Sequence, residues 1–80
     1  MRLDKYLKVS RIIKRRTVAN EACDAGRVVV NGKIARASYD VKVNDVIELT
    51  LGARTVKARV VSVNEYAKKD EAAMMYEIIE

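Results

Sequence analysis

The stretch SRIIKRRT at residues 10–17 places Arg11, Lys14, Arg15 and Arg16 within eight positions. Guanidinium forks and an ammonium group at this density suit one task well, holding phosphate oxygens through charge-assisted hydrogen bonds. Catalysis fits the same chain poorly. It has no histidine, the usual general acid or base near neutral pH. Cys23, Ser10, Ser38 and Ser62 lack a base at a spacing that would activate them, and the carboxylates are scattered rather than clustered as metal catalysis requires. No enzyme, no metal and no cofactor is expected. Cys23 is the single cysteine, which excludes an internal disulfide and any multi-thiolate metal site and fits a reducing compartment. Its spacing from Ala19 and Ala22 reads as small, buried packing.

The elements that must position these cations follow from periodicity. Eighty residues allow one domain, 1–80, near the lower limit for a self-sufficient core. Half the residues are apolar and the 34% that are charged carry both signs, which suits a folded module. Leu3, Tyr6, Leu7 and Ser10 recur on one helical face with Asp4, Lys8 and Arg11 on another, so residues 2–11 read as a short amphipathic helix. A second helix begins between Arg15 and Thr17 and runs to Ala25, with Val18, Ala22 and Ala25 as its apolar repeat and Gly26 as its stop. The pattern then turns to strands. RVVVNGKIA sets Asn31-Gly32 between β-branched segments, the mark of a two-residue hairpin. A turn at Asn44-Asp45 precedes a strand over 46–51, and residues 52–54 turn the chain into a strand over 55–63. The ending AKKDEAAMMYEIIE suits a short helix over 70–75 and a last strand over 76–79.

Charge is unevenly placed. Through Arg36 the chain carries ten Lys or Arg against Asp4, Glu21 and Asp24, a net +7; residues 37–80 carry six against eight, a net −2, which restores the overall +5. Such asymmetry points to a polyanion, either nucleic acid or an anionic membrane. The ordinary alternative is a solvated helix face. Against it, Arg15 and Arg16 fall at the start of the second helix, where cations oppose the macrodipole unless an anion binds there. Lys8 and Arg11 of the first helix can face the same way and extend the patch. A helix-turn-helix reading for DNA fails because the would-be recognition helix VANEACDA exposes Glu21 and Asp24 to a phosphate-walled groove. A single-strand reader would show aromatic platforms, yet there are four tyrosines, no Phe and no Trp, and Tyr6 is placed for the core. A membrane-surface helix would need Leu3 and Leu7, which the small core also needs, and no apolar run is long enough to span a bilayer. No signal-peptide core follows Met1, so the expected location is the cytoplasm, with no membrane partner. The partner that remains is folded RNA, recognised through its backbone and shape.

The segment RLDKYLKVSRIIKRRTVANEACDAGRVVVNGKIARASYDVKVNDVIEL resembles the S-four RNA-binding domain, the αL motif. RLDK opens one helix, arginines open the next, and GRVVVNGK leads to a turn and a strand. The resemblance spans residues 2–50 and leaves 51–80 to complete the sheet. It implies an α+β fold, two N-terminal helices packed on a small antiparallel sheet with a short C-terminal helix and strand, and RNA bound across the helical face. Within that family, KRRT after RLDKYLKVSRII and the ending KKDEAAMMYEIIE are similar to the stand-alone bacterial proteins of ribosome quality control that stabilise peptidyl-tRNA during alanine tailing. These are relatives of a small ribosome-binding heat-shock protein, whose long basic C-terminal extension has no counterpart in this sequence.

That resemblance implies binding to 23S rRNA and to peptidyl-tRNA on large ribosomal subunits left by the splitting of stalled ribosomes. It further implies cooperation with the alanine-tailing protein on the same subunit, a cytoplasmic, ribosome-associated location, and a monomer. Position by position it implies RNA contacts from Arg2, Asp4, Lys5 and Lys8 in the opening helix and from Arg11, Lys14, Arg15, Arg16 and Thr17 at the second helix start; on physical grounds Arg16 is foremost. Asp4 is an anion inside the patch, and its expected role is to orient a neighbour such as Arg16 by a salt bridge rather than to bond an RNA hydroxyl. Lys33, beside the Asn31-Gly32 turn, either adds a phosphate contact or serves the turn alone. Arg15 stands where many such domains have Ser, and Val43-Asn44-Asp45 where they have Pro-Gly-Asp, so the resemblance fixes neither the helix cap nor that turn. The alternative readings are a heat-shock-type recycling factor for large subunits carrying peptidyl-tRNA, a ribosome assembly factor, and, from a different class, a protein-interaction module for an acidic partner.

Overall fold

The structure, a computed structural model, describes residues 1–79. In chain order it contains α1 (Leu3–Val9), α2 (Arg16–Asp24), β1 (Val28–Val30), β2 (Lys33–Ile34), β3 (Val46–Leu51), β4 (Arg54–Val60), α3 (Lys69–Ala72) and β5 (Tyr76–Ile78). The strands form one antiparallel sheet in the order β2-β1-β3-β4-β5, and the α+β class is the one observed. Alternation along the strands decides which face the helices cover: Val28, Val30, Ile47, Leu49, Ala58 and Val60 are buried, while Val29, Glu48 and Arg59 between them are not. Leu3, Tyr6 and Leu7 from α1 and Ala19, Ala22 and Cys23 from α2 complete that core. The Tyr6 hydroxyl reaches through it to donate to the Met75 carbonyl at 2.9 Å, tying the first helix to the C-terminal segment.

Local chemistry explains the turns. Asn31 and Gly32 take φ of 52° and 83°, the two positive values a type I′ hairpin turn needs. The Asn31 side chain also accepts from the Val46 N–H at 2.9 Å and donates to Asp45 at 3.0 Å, so the hairpin tip is fastened to the start of β3. Where Val43-Asn44-Asp45 replaces a Pro-Gly-Asp turn, Asn44 takes the left-handed conformation with φ 79°. Buried Asp45 accepts from the Lys42 N–H at 2.9 Å and the Tyr39 hydroxyl at 2.9 Å. Gly26, at φ 73°, closes α2: its N–H goes to the Cys23 carbonyl and the Arg27 N–H to that of Ala22, each at 3.0 Å, the paired bonds of a Schellman motif.

Four sequence expectations need correction. The buried stripe of α2 is Ala19, Ala22 and Cys23, and Val18 is 43% exposed. Small residues line the contact because they let α2 lie close against α1 and the sheet. Asp4, grouped with Lys8 and Arg11 on the face opposite the apolar stripe, is itself buried at 2% exposure, while both cations are exposed. Strand β4 ends at Val60 rather than Val63, because the N–H groups of both Val61 and Ser62 turn to the Met75 carbonyl, at 2.8 and 3.1 Å, and leave the ladder. The C-terminal helix is one turn, Lys69–Ala72, shorter than the stretch over 70–75 and starting one residue earlier.

Candidate nucleic-acid interface

Asp4 is the centre of the cationic surface. It sits in the first turn of α1, and its carboxylate, almost wholly removed from solvent, collects donors from two helices. Oδ1 accepts from the Lys5 N–H at 2.8 Å and from Arg2 Nε at 3.2 Å; Oδ2 accepts from Asn20 Nδ2 at 3.2 Å and from Arg2 Nη2 at 3.4 Å, with Arg16 Nε at 3.5 Å. Burial on its own would raise the carboxyl's pKa. The bonds from Arg2, Asn20 and the Lys5 N–H, together with the Arg16 charge, outweigh it and hold the group below the usual carboxylate range. Asp4 is therefore an anion at neutral pH, and it holds two guanidinium groups by their Nε edges while half of each arginine side chain remains exposed. Arg16, Thr17, Asn20 and Glu21 line an open depression with it. The backbone at Arg15, the N-cap of α2, is extended and no side chain caps the helix, so its first N–H groups are not claimed by a capping side chain.

A second basic region lies at the other end of α1. Lys8, Arg11 and Lys14 line an open concavity of about 440 Å³ whose far wall is Glu65 and Lys69. Among the described residues, Lys8, Arg11, Lys14, Arg15 and Lys69 have no carboxylate within ion-pair distance. The turn that aims this group is built on Arg11, which takes φ 64° just after α1 and sends its N–H to the Lys8 carbonyl at 3.1 Å, a position normally given to Gly. Ile13, 6% exposed, anchors the linker in the core so that its neighbours Lys14, Arg15 and Arg16 face outward.

The sequence-derived residues therefore separate into groups. Arg2, Asp4, Arg16 and Thr17 meet at the junction of the two helices. Lys8, Arg11 and Lys14 meet at the concavity. Lys5 points to the C-terminal segment, where its Nζ lies 3.7 Å from Glu65 and 5.9 Å from the centre of the Tyr66 ring. Arg15 is exposed between the two groups in the chain. Lys33 stands apart, in a depression on the sheet edge with Asn31, Ile34, Arg36 and Tyr39, whose lining includes no helical cation. Sequence reasoning missed Asn20, Lys69 and Tyr66. Asn20 sits one turn after Arg16 and reaches Asp4 only through the packing of α2 on α1, while Lys69 and Tyr66 come close to α1 through a contact some sixty residues long in the chain.

Among the described residues there is no group of three or more His, Cys, Asp or Glu able to hold a metal, and no helix is long and apolar enough to cross a membrane. Cys23 is buried in α2. Burial first, then the Asp4 and Asp24 carboxylates, push its thiol up to about 11, which suits packing and not nucleophilic chemistry.

Comparison with known proteins agrees with the fold. The family model described as S4 domain matches residues 1–47. The RQC P-site tRNA stabilizing factor of Streptococcus pneumoniae is 57% identical over 79 residues, covering 99% of this chain and 90% of that protein. The protein of the same name from Bacillus subtilis is 51% identical over 79 residues, covering 99% and 92%. The trimeric structure of Vibrio cholerae Heat Shock Protein 15 superposes with a TM-score of 0.90 at 28% identity, over 99% of this chain and 81% of that one.

Proposed function

This chain belongs to the S4 domain family, and from that premise we propose that it is an RNA-binding factor of ribosome-associated quality control. In this reading it binds 23S rRNA and peptidyl-tRNA on split, obstructed large ribosomal subunits, keeps the tRNA in the P site, and supports alanine tailing of the stalled chain by a partner on the same subunit, without mRNA. Its role is to hold rather than to react.

The observation that carries the reading is Arg16, fixed at the first turn of α2 by the Asp4 carboxylate from α1, beside cations with no carboxylate of their own. A guanidinium paired at its Nε edge keeps its NH2 groups free to fork onto a phosphate, and the pairing lowers the side-chain entropy to be lost when RNA arrives. The cations Lys8, Arg11, Lys14 and Arg15, none of them paired with a carboxylate among the described residues, suit a backbone path rather than base readout, as expected for a folded RNA whose grooves a side chain reads poorly.

The test is association with purified large ribosomal subunits followed across a salt series. Contact with about five phosphates gives log affinity falling against log salt with a slope of about −4 to −5. Arg16→Ala should lose association while its circular dichroism stays that of the parent. A flat salt dependence, or full association by a folded Arg16→Ala protein, would overturn the assignment.

A further inference from the structure

Of the four tyrosines, Tyr6 is fully buried and Tyr39 and Tyr76 are partly buried, while Tyr66 is 85% exposed. An aromatic ring left in water forfeits the burial that normally recommends it, and no hydrogen bond of the Tyr66 hydroxyl compensates among the described residues. The ring is nonetheless aimed. Asn64 Oδ1 accepts from the Tyr66 N–H at 3.0 Å, and the Ala67 N–H returns to the Asn64 carbonyl at 3.4 Å, so the loop presents the side chain outward. Lys5 Nζ lies 5.9 Å from the ring centre and 3.7 Å from Glu65 Oε1. The flanking residues Glu65 and Ala67 line the concavity that carries Lys8, Arg11, Lys14 and Lys69. Four cations thus face the single carboxylate of Glu65, and that carboxylate is engaged by Lys5.

We propose that Tyr66 is a stacking platform for an unpaired nucleobase at the rim of this concavity, with the adjoining phosphates on Lys8, Arg11, Lys14 and Lys69. The proposal rests on the RNA-binding reading above and extends it from a backbone contact on two helices to a two-walled cradle that also includes the 64–69 segment. The chemistry needs both parts. Cations alone hold a chain without fixing which nucleotide sits where, whereas every base has a π-face that an exposed ring can seat. Lys5, 5.9 Å from the ring centre, steadies the ring through a cation–π contact. The ligand is therefore RNA with a bulged, looped or splayed base next to structured backbone.

The experiment measures binding of the full chain to purified large ribosomal subunits for wild type, Tyr66→Ala, Tyr66→Phe, Lys69→Ala and Arg16→Ala, each checked for an unchanged circular dichroism spectrum. Loss of one stack should weaken Tyr66→Ala about tenfold without changing the salt slope, because stacking releases no counterion. Tyr66→Phe keeps the ring and should bind within about twofold of wild type, whereas Lys69→Ala should lower the slope by about one. Ultraviolet crosslinking of the unmodified protein should give an RNA-modified peptide that includes Tyr66. Wild-type binding by Tyr66→Ala with loss in Arg16→Ala overturns the stacking proposal and leaves the RNA-binding reading intact; wild-type binding by both overturns that reading itself. Equal loss in Tyr66→Phe and Tyr66→Ala, or a Tyr66 crosslink to protein instead of RNA, also overturns the proposal.

Discussion

Replacing Asp4 with Asn keeps the side chain's shape, removes one negative charge, and turns one oxygen into an NH2 donor. Both oxygens are in use. One takes the Lys5 N–H at 2.8 Å and Arg2 Nε at 3.2 Å; the other takes Asn20 Nδ2 at 3.2 Å and Arg2 Nη2 at 3.4 Å, with Arg16 Nε at 3.5 Å. An amide has a single oxygen, so in either orientation one set of donors faces another donor. Because Arg2 and Arg16 are half exposed, each ion pair counts at the surface scale of about 0–1 kcal/mol. Donors left facing the buried end of the side chain add about 1–2 kcal/mol. The total spans about 1–4 kcal/mol with a midpoint of about 2.5 kcal/mol, and since 1 kcal/mol moves Tm by about 4–8 °C in a domain of this size, Asp4→Asn should melt about 10–20 °C below wild type at that midpoint.

The same substitution has a pH signature. The Asp4 carboxyl lies below its ordinary value of 3.8 in the folded protein, so as pH falls the unfolded chain takes up the proton first. Its stabilisation is complete above that ordinary value and is lost as pH drops through the folded value. Asn carries no proton to gain, so the Tm gap between wild type and Asp4→Asn should be widest near neutrality and close as pH falls below about 3.8. Thermal melts of both proteins at stepped pH measure it. An unchanged Tm at neutral pH, or a gap that stays constant through the acid range, would refute the role of Asp4 as the anionic centre of the two helices.

Arg11→Gly should raise stability while weakening subunit binding: the left-handed φ of 64° strains a residue with a Cβ, relief is worth about 1 kcal/mol or about 4–8 °C in Tm, and a lower Tm in a thermal melt would contradict it. The Cys23 thiol, buried and pushed up to about 11, should be inert to Ellman's reagent in the native protein at pH 8 and react at the rate of global opening, a rate that rises with urea; immediate reaction without denaturant would show that α2 does not cover it.

Much of the fold is legible in the sequence because its signals are local. The Asn31-Gly32 turn, the strand Val46–Leu51 and the Gly26 stop each depend on backbone preferences within a few residues, and each stands where the pattern put it. The misplacements arise where neighbours distant in the chain decide. Val18 and Ala19 are both apolar and adjacent on the helix, and only the closeness of α1 and the sheet selects the smaller one for burial. Residues 61–63 continue a β-like composition, yet competition for the Met75 carbonyl ends the strand at Val60. The site divides in the same way. The cations were visible as composition, and an Asp4–Arg16 bridge was visible as a charge that needed a partner. Burial of that carboxylate, and the approach of Lys69 and Tyr66 to α1, depend on the sheet carrying β4 and its following loop back beneath the first helix.

The costs in this fold are concentrated on the candidate interface. Helices α1 and α3 have acidic residues in the first turn, Asp4 in one and Asp70 and Glu71 in the other, behind the N-cap cations Arg2 and Lys68. Helix α2 runs against them. Arg16 opens it, its first turn has no acidic residue and its last no basic one. Arg11 occupies a left-handed position that Gly26 fills at the end of α2 without steric cost. The cationic start of α2 and the left-handed Arg11 both fall within residues 11–16, and they turn cations outward with Asp4 as the one carboxylate paired among them. One buried carboxylate is enough to fix two guanidinium groups but not to neutralise the cations around them. In the proposed complex a phosphate chain would supply the remaining anions, and the charge arrangement that weakens the free protein would strengthen the bound one.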